Sequence, residues 1–177
     1  MPLRYAGMPL ESPTEIRMFF AVFPILTILA WLIHIAVRSE VRAEKTLIAK
    51  ALLRYLLVIN VGLEGIFSFY GHAFMGEQVA ASIGWAPSPF QYEVAIANLA
   101  IGSIGILCWW FEGAFWFATI VATTVWLWGD ATGHLRQIVV AHNFAPNNAG
   151  GALYSDLLVP AALIILAFAA RISIRRA

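Results

Sequence analysis

Long apolar blocks dominate the chain, and charge is confined to the gaps between them. Residues 18–37 (MFFAVFPILTILAWLIHIAV) form one block, and residues 54–74 form a second that Glu64 and His72 interrupt. Residues 92–110, 111–128 and 151–170 complete the set. A helix needs about 20 apolar residues to cross bilayer hydrocarbon. The pattern predicts an all-α, polytopic membrane bundle of about five transmembrane helices, folded as a single membrane domain over 1–177. Blocks three and four meet around 111–113, so a tight antiparallel hairpin is expected there. Pro24 lies in the first span and Pro160 near the middle of the last, where a kink is expected.

The gaps set an expected orientation. The loop 38–53 and its edge hold Arg38, Arg42, Lys45, Lys50 and Arg54, and the tail holds Arg171, Arg175 and Arg176. With five crossings both segments share a face, and eight of the 11 basic residues lie on it. Basic loops stay cytoplasmic. The N-terminus is therefore expected outside and the C-terminus inside, with 75–91 and 129–150 as outer loops. The opening MPLRYAGMPLESPTEIR carries acidic residues and prolines and does not read as a secretory signal. RSEVRAEKTLIAKALLRY reads as a solvated helical extension. Trp109, Trp110 and Trp116 on one side and Trp85, Trp126 and Trp128 on the other read as interfacial belts.

Composition agrees. The chain is 61% hydrophobic and 12% charged, whereas soluble domains carry about 25% charged residues. A net charge of +1 gives no basic field for nucleic acid, and the lone Cys108 excludes an internal disulfide.

Ionisable groups within membrane segments are costly and mark candidate function. Glu64 and His72 are eight residues apart, about 12 Å along a helix axis and on neighbouring faces, with Ser68 between them. SPFQYEVAIAN places Gln91, Glu93 and Asn98 at the start of the third span. Ser88 with Gln91 three residues later fits a capping box. Asp130 and His134 share a helix face at i and i+4, the spacing of a metal pair or of a simple hydrogen-bonded pair. The stretch GDATGHLRQIVVAHNFAPNNAGG (129–151) gathers Asp130, His134 and His142 beside three asparagines. HLRQIVVAH suggests a short interfacial helix there, broken by FAPNNAGG. His72, Glu93, Asp130 and His134 are the candidate ligands of a transition-metal ion, although no HExxH, Glu-x-x-His or Cys-x-x-Cys supports one. His34 and Glu112 are expected at the opposite interface, which sets His34 apart from the other histidines and argues against a bis-imidazole haem.

The stretches GHAFMGEQVAASIGW, SPFQYEVAIANLAIGSIGIL and GHLRQIVVAHNFAPNNAGGALYSDLLVP resemble a family of small bacterial and archaeal integral membrane proteins known only as a domain of unknown function. The likeness covers roughly 50–165. A looser likeness is to DoxX-like four-helix membrane proteins. The resemblance implies weight on His72, Ser88, Gln91, Glu93, Asn98, His134, Pro146, Asn148, Tyr154 and Asp156. It implies no activity, and it suggests a bacterial or archaeal cytoplasmic membrane.

Three functions follow as expectations. The first is an outward polar pocket lidded by 131–150 that binds a metal ion or small ligand through His72, Glu93, Asn98, Asp130, His134, Asn148 and Asp156. The second is an accessory subunit docking on membrane-protein partners or on further copies of this chain, which the small residues Ala95, Ala97, Ala100, Gly102, Ser103 and Gly105 would suit. The third is a proton-coupled transporter centred on Glu64. Against it, five spans without a detectable repeat depart from many transporter folds. No phosphate loop, serine-nucleophile motif or dinucleotide fingerprint specifies a reaction.

Overall fold

The computed structural model describes residues 13–172, with side chains from residue 21 onward. The expectations for residues 1–12 of the opening stretch and for Arg175 and Arg176 lie outside the described residues. The described chain is all-α. Helix α1 spans Pro13–Val37 and α2 spans Ser39–Arg42. Helix α3, Lys45–Phe74, is one continuous rod of 30 residues. Its middle, Leu56–Leu63, winds as a π-helix. Then come α4 (Gly76–Ser82), α5 (Phe90–Leu107), α6 (Ala114–Ala141) and α7 (Gly151–Ala169).

The expectation of about five transmembrane helices is corrected. Three described helices are long and apolar enough to cross a membrane: Lys45–Phe74, Phe90–Leu107 and Gly151–Ala169. Among the residues of α1 whose side chains are described, Ala21–Val37 is apolar. Helix α6 is 28 residues long, but Thr119, Thr123, Thr124, Gly129 and Asp130 dilute its apolar content. The helices by themselves fix no sidedness, so the outside-to-inside expectation loses its basis along with the count that carried it. Boundaries also move. The expected loop 38–53 is largely helical, because α3 begins at Lys45. The expected outer loop 129–150 is helical as far as Ala141, and 75–91 contains α4.

Helix α3 is the hub and packs against α1, α5 and α7. Its contact with α5 is set by glycines. A Cβ on Gly65 would lie 2.8 Å from the Gly102 Cα, and one on Gly105 would lie 2.6 Å from the Gly62 N. The two backbones meet with no side chains between them, the close approach that small residues permit in membrane helices. Helix α6 packs mainly along α7 rather than against α5. The expected tight hairpin is therefore a connection without a shared face of any extent.

Leu53, Leu57, Cys108, Trp116 and Leu163 are fully buried in one apolar cluster where α3, α6 and α7 meet. Trp116 therefore belongs to the core and not to an interfacial belt. Its indole N–H donates to the Cys108 carbonyl at 2.8 Å. The outer surface is apolar too: Val125 is 72% exposed and Phe168 80%. An exterior of that kind suits lipid, where water would leave a large unfavourable patch. Both Pro24 and Pro160 sit inside helices that continue past them.

Candidate functional site

Several of the buried polar residues of this bundle follow one another in a track. It begins in the π-helical middle of α3. π-turns are uncommon and concentrate at functional positions. Asn60 lies in that turn and is 5% exposed. It accepts a 2.6 Å hydrogen bond from Thr27 on α1 and donates a 3.2 Å bond to Glu64 on its own helix. Ser155 on α7 donates to the other Glu64 carboxylate oxygen at 3.5 Å. Asp156 is the next residue on α7 and is 9% exposed. Its Oδ2 lies 3.7 Å from the His134 Nε2 on α6. The other ring nitrogen of His134, Nδ1, is 2.9 Å from the Asn148 Oδ1.

The orientation of these groups follows from their chemistry. Trp85 Nε1 donates to the same Asn148 Oδ1 at 3.0 Å. An indole N–H can only donate, so that atom must be the amide oxygen. His134 Nδ1 must then carry a hydrogen to be a partner. In the neutral ring this leaves the Nε2 lone pair turned toward Asp156. Asn148 is itself fully buried, and its amide N–H groups donate to the Asn143 carbonyl at 2.8 Å and the His134 carbonyl at 3.4 Å.

The loop end is stitched shut by asparagines. Asn143 Nδ2 donates to the Ile83 carbonyl at 2.7 Å, and its Oδ1 accepts from the Ala145 N–H at 3.0 Å. Asn147 Nδ2 donates to the Ser82 hydroxyl at 3.2 Å. Gly84 turns the chain here with φ +68°, and a Cβ on it would meet the Asn143 Oδ1 at 2.8 Å. Residues 142–150 thus pack down onto 82–85. The space expected beneath a lid is filled by Asn148, His134 and Trp85.

The expected quartet separates. His72 is paired with Gln91 at 2.6 Å where the end of α3 meets α5. Gln91 therefore serves His72 and not a capping box, while Ser88 alone accepts from the Phe90 N–H at 3.3 Å. An open cleft of about 440 Å³ lies there, lined by His72, Phe74, Gly76, Ser88 and Tyr92 among others, and it does not reach Asp130 or His134. Glu93 is exposed. Asn98 donates to the Val94 carbonyl of its own helix at 3.0 Å. Asp130 is half-buried on α6, and His142 is exposed with φ 51° at the end of α6. Among the described residues no three His, Cys, Asp or Glu side chains are placed to hold a metal ion.

The opposite end carries a second, unrelated cluster. Glu112 is bridged by Lys50 at 2.6 Å and by Arg54. Partial burial pushes the Glu112 carboxyl up. The Lys50 hydrogen bond and the nearby Arg54 charge outweigh that and hold it below its ordinary value. His34 pairs with the Tyr55 hydroxyl at 3.0 Å. Burial pushes the Cys108 thiol up to about 11, so it remains protonated and unreactive at neutral pH.

Four members of the track were not singled out by sequence: Thr27, Asn60, Trp85 and Ser155. Asn60 had a signal, since it is an amide in an apolar run four residues before Glu64. Trp85 had none that distinguished it from a belt tryptophan.

The chain belongs to the family of unknown function DUF6790, whose model matches residues 17–176. The looser DoxX-like likeness gains no support from that match. No curated protein and no solved structure matches the chain.

Proposed function

We propose that this member of the DUF6790 family is a proton-coupled membrane protein, with Glu64, Asp156 and His134 as its working groups and Asp130 as an electrostatic neighbour. The observation that carries the reading is the His134–Asp156 pair. A lone pair on Nε2 faces a carboxyl oxygen at 3.7 Å in surroundings where both side chains are nearly buried. In this reading one proton moves between the two groups, which must close from 3.7 Å to hydrogen-bond distance for the transfer. Transfer breaks the Asp156 O–H bond and forms the His134 Nε2–H bond, leaving an ion pair.

Further support comes from what the carboxyls lack. Among the described residues, no lysine or arginine is paired with Glu64, Asp130 or Asp156. Three unneutralised carboxyls close together cannot all ionise cheaply in a low-dielectric bundle. Charging one opposes charging the next, so protons are taken up and released in a coupled way. Thr27, Asn60 and Ser155 supply hydrogen-bonding groups that continue the line past Glu64. Asn148 and Trp85 hold His134 in the tautomer the exchange needs. A metal-holding pocket is not part of this reading, and the bacterial or archaeal cytoplasmic membrane is its proposed location.

The test is proton flux into proteoliposomes that enclose a pH-sensitive dye. Wild-type protein should dissipate an imposed pH gradient faster than protein-free vesicles. Glu64→Gln and Asp156→Asn should each reduce that rate by at least about tenfold, the scale expected when a proton-transfer group is lost. Wild-type vesicles no leakier than empty ones, at matched protein incorporation and with a membrane potential clamped by potassium and valinomycin, would sink the reading.

A further inference from the structure

We propose that the end of the bundle carrying Lys50 and Arg54 seats a phosphate-bearing anion, supplied by the phosphodiester of an anionic phospholipid. The inference is independent of the proton track, which lies elsewhere in the fold.

The seat has a surplus of donors over acceptors. Lys50 offers three N–H groups and Arg54 five. Glu112 is the one carboxylate that both cations touch. The Arg54 Nε is buried without a hydrogen-bond partner. Lys50 and Arg54 remain 40% and 28% exposed in their side chains, so donors are left facing outward. One carboxylate against two cations leaves the cluster net positive.

Arg54 is also held in place. Its guanidinium carbon lies 5.9 Å from the Trp109 ring centre and 5.7 Å from that of Trp116, while the Lys50 ammonium lies 5.9 Å from the same Trp116 ring. Trp116 is fully buried and anchored to the Cys108 carbonyl. A fork fixed this way loses little side-chain freedom when it binds, and planar forks of this type match phosphate oxygens. Two neighbouring cations are already engaged. Arg42 is spent on the Ala36 carbonyl at 2.8 Å, and Arg38 reaches Glu40 at 3.6 Å.

The surroundings favour a lipid as the source of the phosphate. Trp109, Trp110 and Phe111 are 44%, 67% and 54% exposed immediately beside the cluster. Exposed aromatics of this kind sit at headgroup depth with acyl chains below them. A lipid phosphate would lie at the same level as Lys50 and Arg54, with its tails against the apolar flank of α3. Glu112 stays as the internal partner that keeps the two cations parallel.

The experiment uses the full-length protein, delipidated in neutral detergent. The probes are phosphatidylglycerol, phosphatidylcholine and inorganic phosphate. Native mass spectrometry reads retained lipid, and thermal unfolding reads the stabilisation. Phosphatidylglycerol should be retained in preference to phosphatidylcholine and should raise the melting temperature. Lys50→Gln should weaken phosphatidylglycerol binding by about fivefold, the scale of one cation near an anionic headgroup. Arg54→Gln should weaken it further, and Lys50→Gln keeps the test open should Arg54→Gln fail to fold. Competition by millimolar inorganic phosphate would support the phosphate seat and reassign its source to a free anion. Equal retention of both lipids, or an anionic preference that survives Lys50→Gln unchanged, would overturn the proposal.

Discussion

His134 and Asn148 meet at 2.9 Å between Nδ1 and Oδ1, and this contact ties the last turns of α6 to the loop that leads into α7. They are 14 positions apart along the chain. The contact is shared by a third group, because Trp85 donates to the same oxygen from the segment before α5. One buried amide thus joins three parts of the chain and fixes which ring nitrogen of His134 faces Asp156.

Replacing that amide should be expensive. Asn148→Leu keeps much of the volume but leaves the Trp85 N–H, the His134 Nδ1–H and the Asn143 carbonyl without their partner. Each unsatisfied buried group costs about 1–3 kcal/mol. The variant should unfold at a clearly lower temperature in detergent. A stability within about 0.5 kcal/mol of wild type, the range of ordinary surface changes, would show that the loop is not held by this amide.

Two glycines should respond with opposite signs to the same substitution. At Gly105 a Cβ would come within 2.6 Å of the Gly62 backbone nitrogen, and backbone cannot step aside. Gly105→Ala should therefore push α3 and α5 apart and lower stability by roughly 1–3 kcal/mol, the usual cost of overpacking. At Gly129 a Cβ would meet nothing within 4 Å. Gly129→Ala should add up to about 1 kcal/mol through helix propensity alone. Urea or thermal unfolding of the two variants side by side settles the sign of each. Equal, small effects would mean that the helices repack freely.

The ion cluster at Glu112 predicts a pH dependence. Lys50 and Arg54 hold this carboxyl below its ordinary value of 4.5 once folded. A depressed carboxyl contributes stability that is present above its unfolded-state value and is lost as pH falls through the folded-state value. Glu112→Gln should therefore destabilise the protein at pH 7. The difference from wild type should shrink as pH drops below about 4.5 and vanish once both states bind the proton. Because the carboxylate is about one-third exposed, solvent screening keeps the effect modest. A difference that stays constant from pH 7 to pH 3 would assign the effect to packing instead of charge.

Much of the membrane character was legible in the sequence, because a nearly uncharged apolar run of about 20 residues suits bilayer hydrocarbon and little else. The count of spans was not. A run such as 111–128 looks apolar by residue type, yet Thr119 and Thr123, each about 1% exposed, lower the apolar content of α6. The spacing of Asp130 and His134 correctly put both on α6, but spacing along one helix says nothing of neighbours from other helices. His134 took its partners from α7 and from the asparagine loop, and His72 took Gln91 from α5. Asn60 stood out as an amide in an apolar run, but its partner did not. The π-turn at Leu56–Leu63 changes which residues share a face, so a uniform helical period does not place Asn60 against Thr27.

That last pairing offers a direct measure of how much the polar track holds the bundle together. Thr27 is 2% exposed and Asn60 5%, and their 2.6 Å bond links α1 to α3. Hydrogen bonds between membrane helices average about 0.6 kcal/mol and reach roughly 1.7 in double-mutant cycles. A cycle with Thr27→Val and Asn60→Leu should give a coupling energy inside that window, since each single variant removes the bond. Asn60→Leu should cost more than Thr27→Val, because it also strips the amide N–H from Glu64 and leaves a carboxyl with only Ser155 as donor. A coupling indistinguishable from zero would mean that α1 is held by apolar packing alone. The track would then begin at Glu64 and not at Thr27.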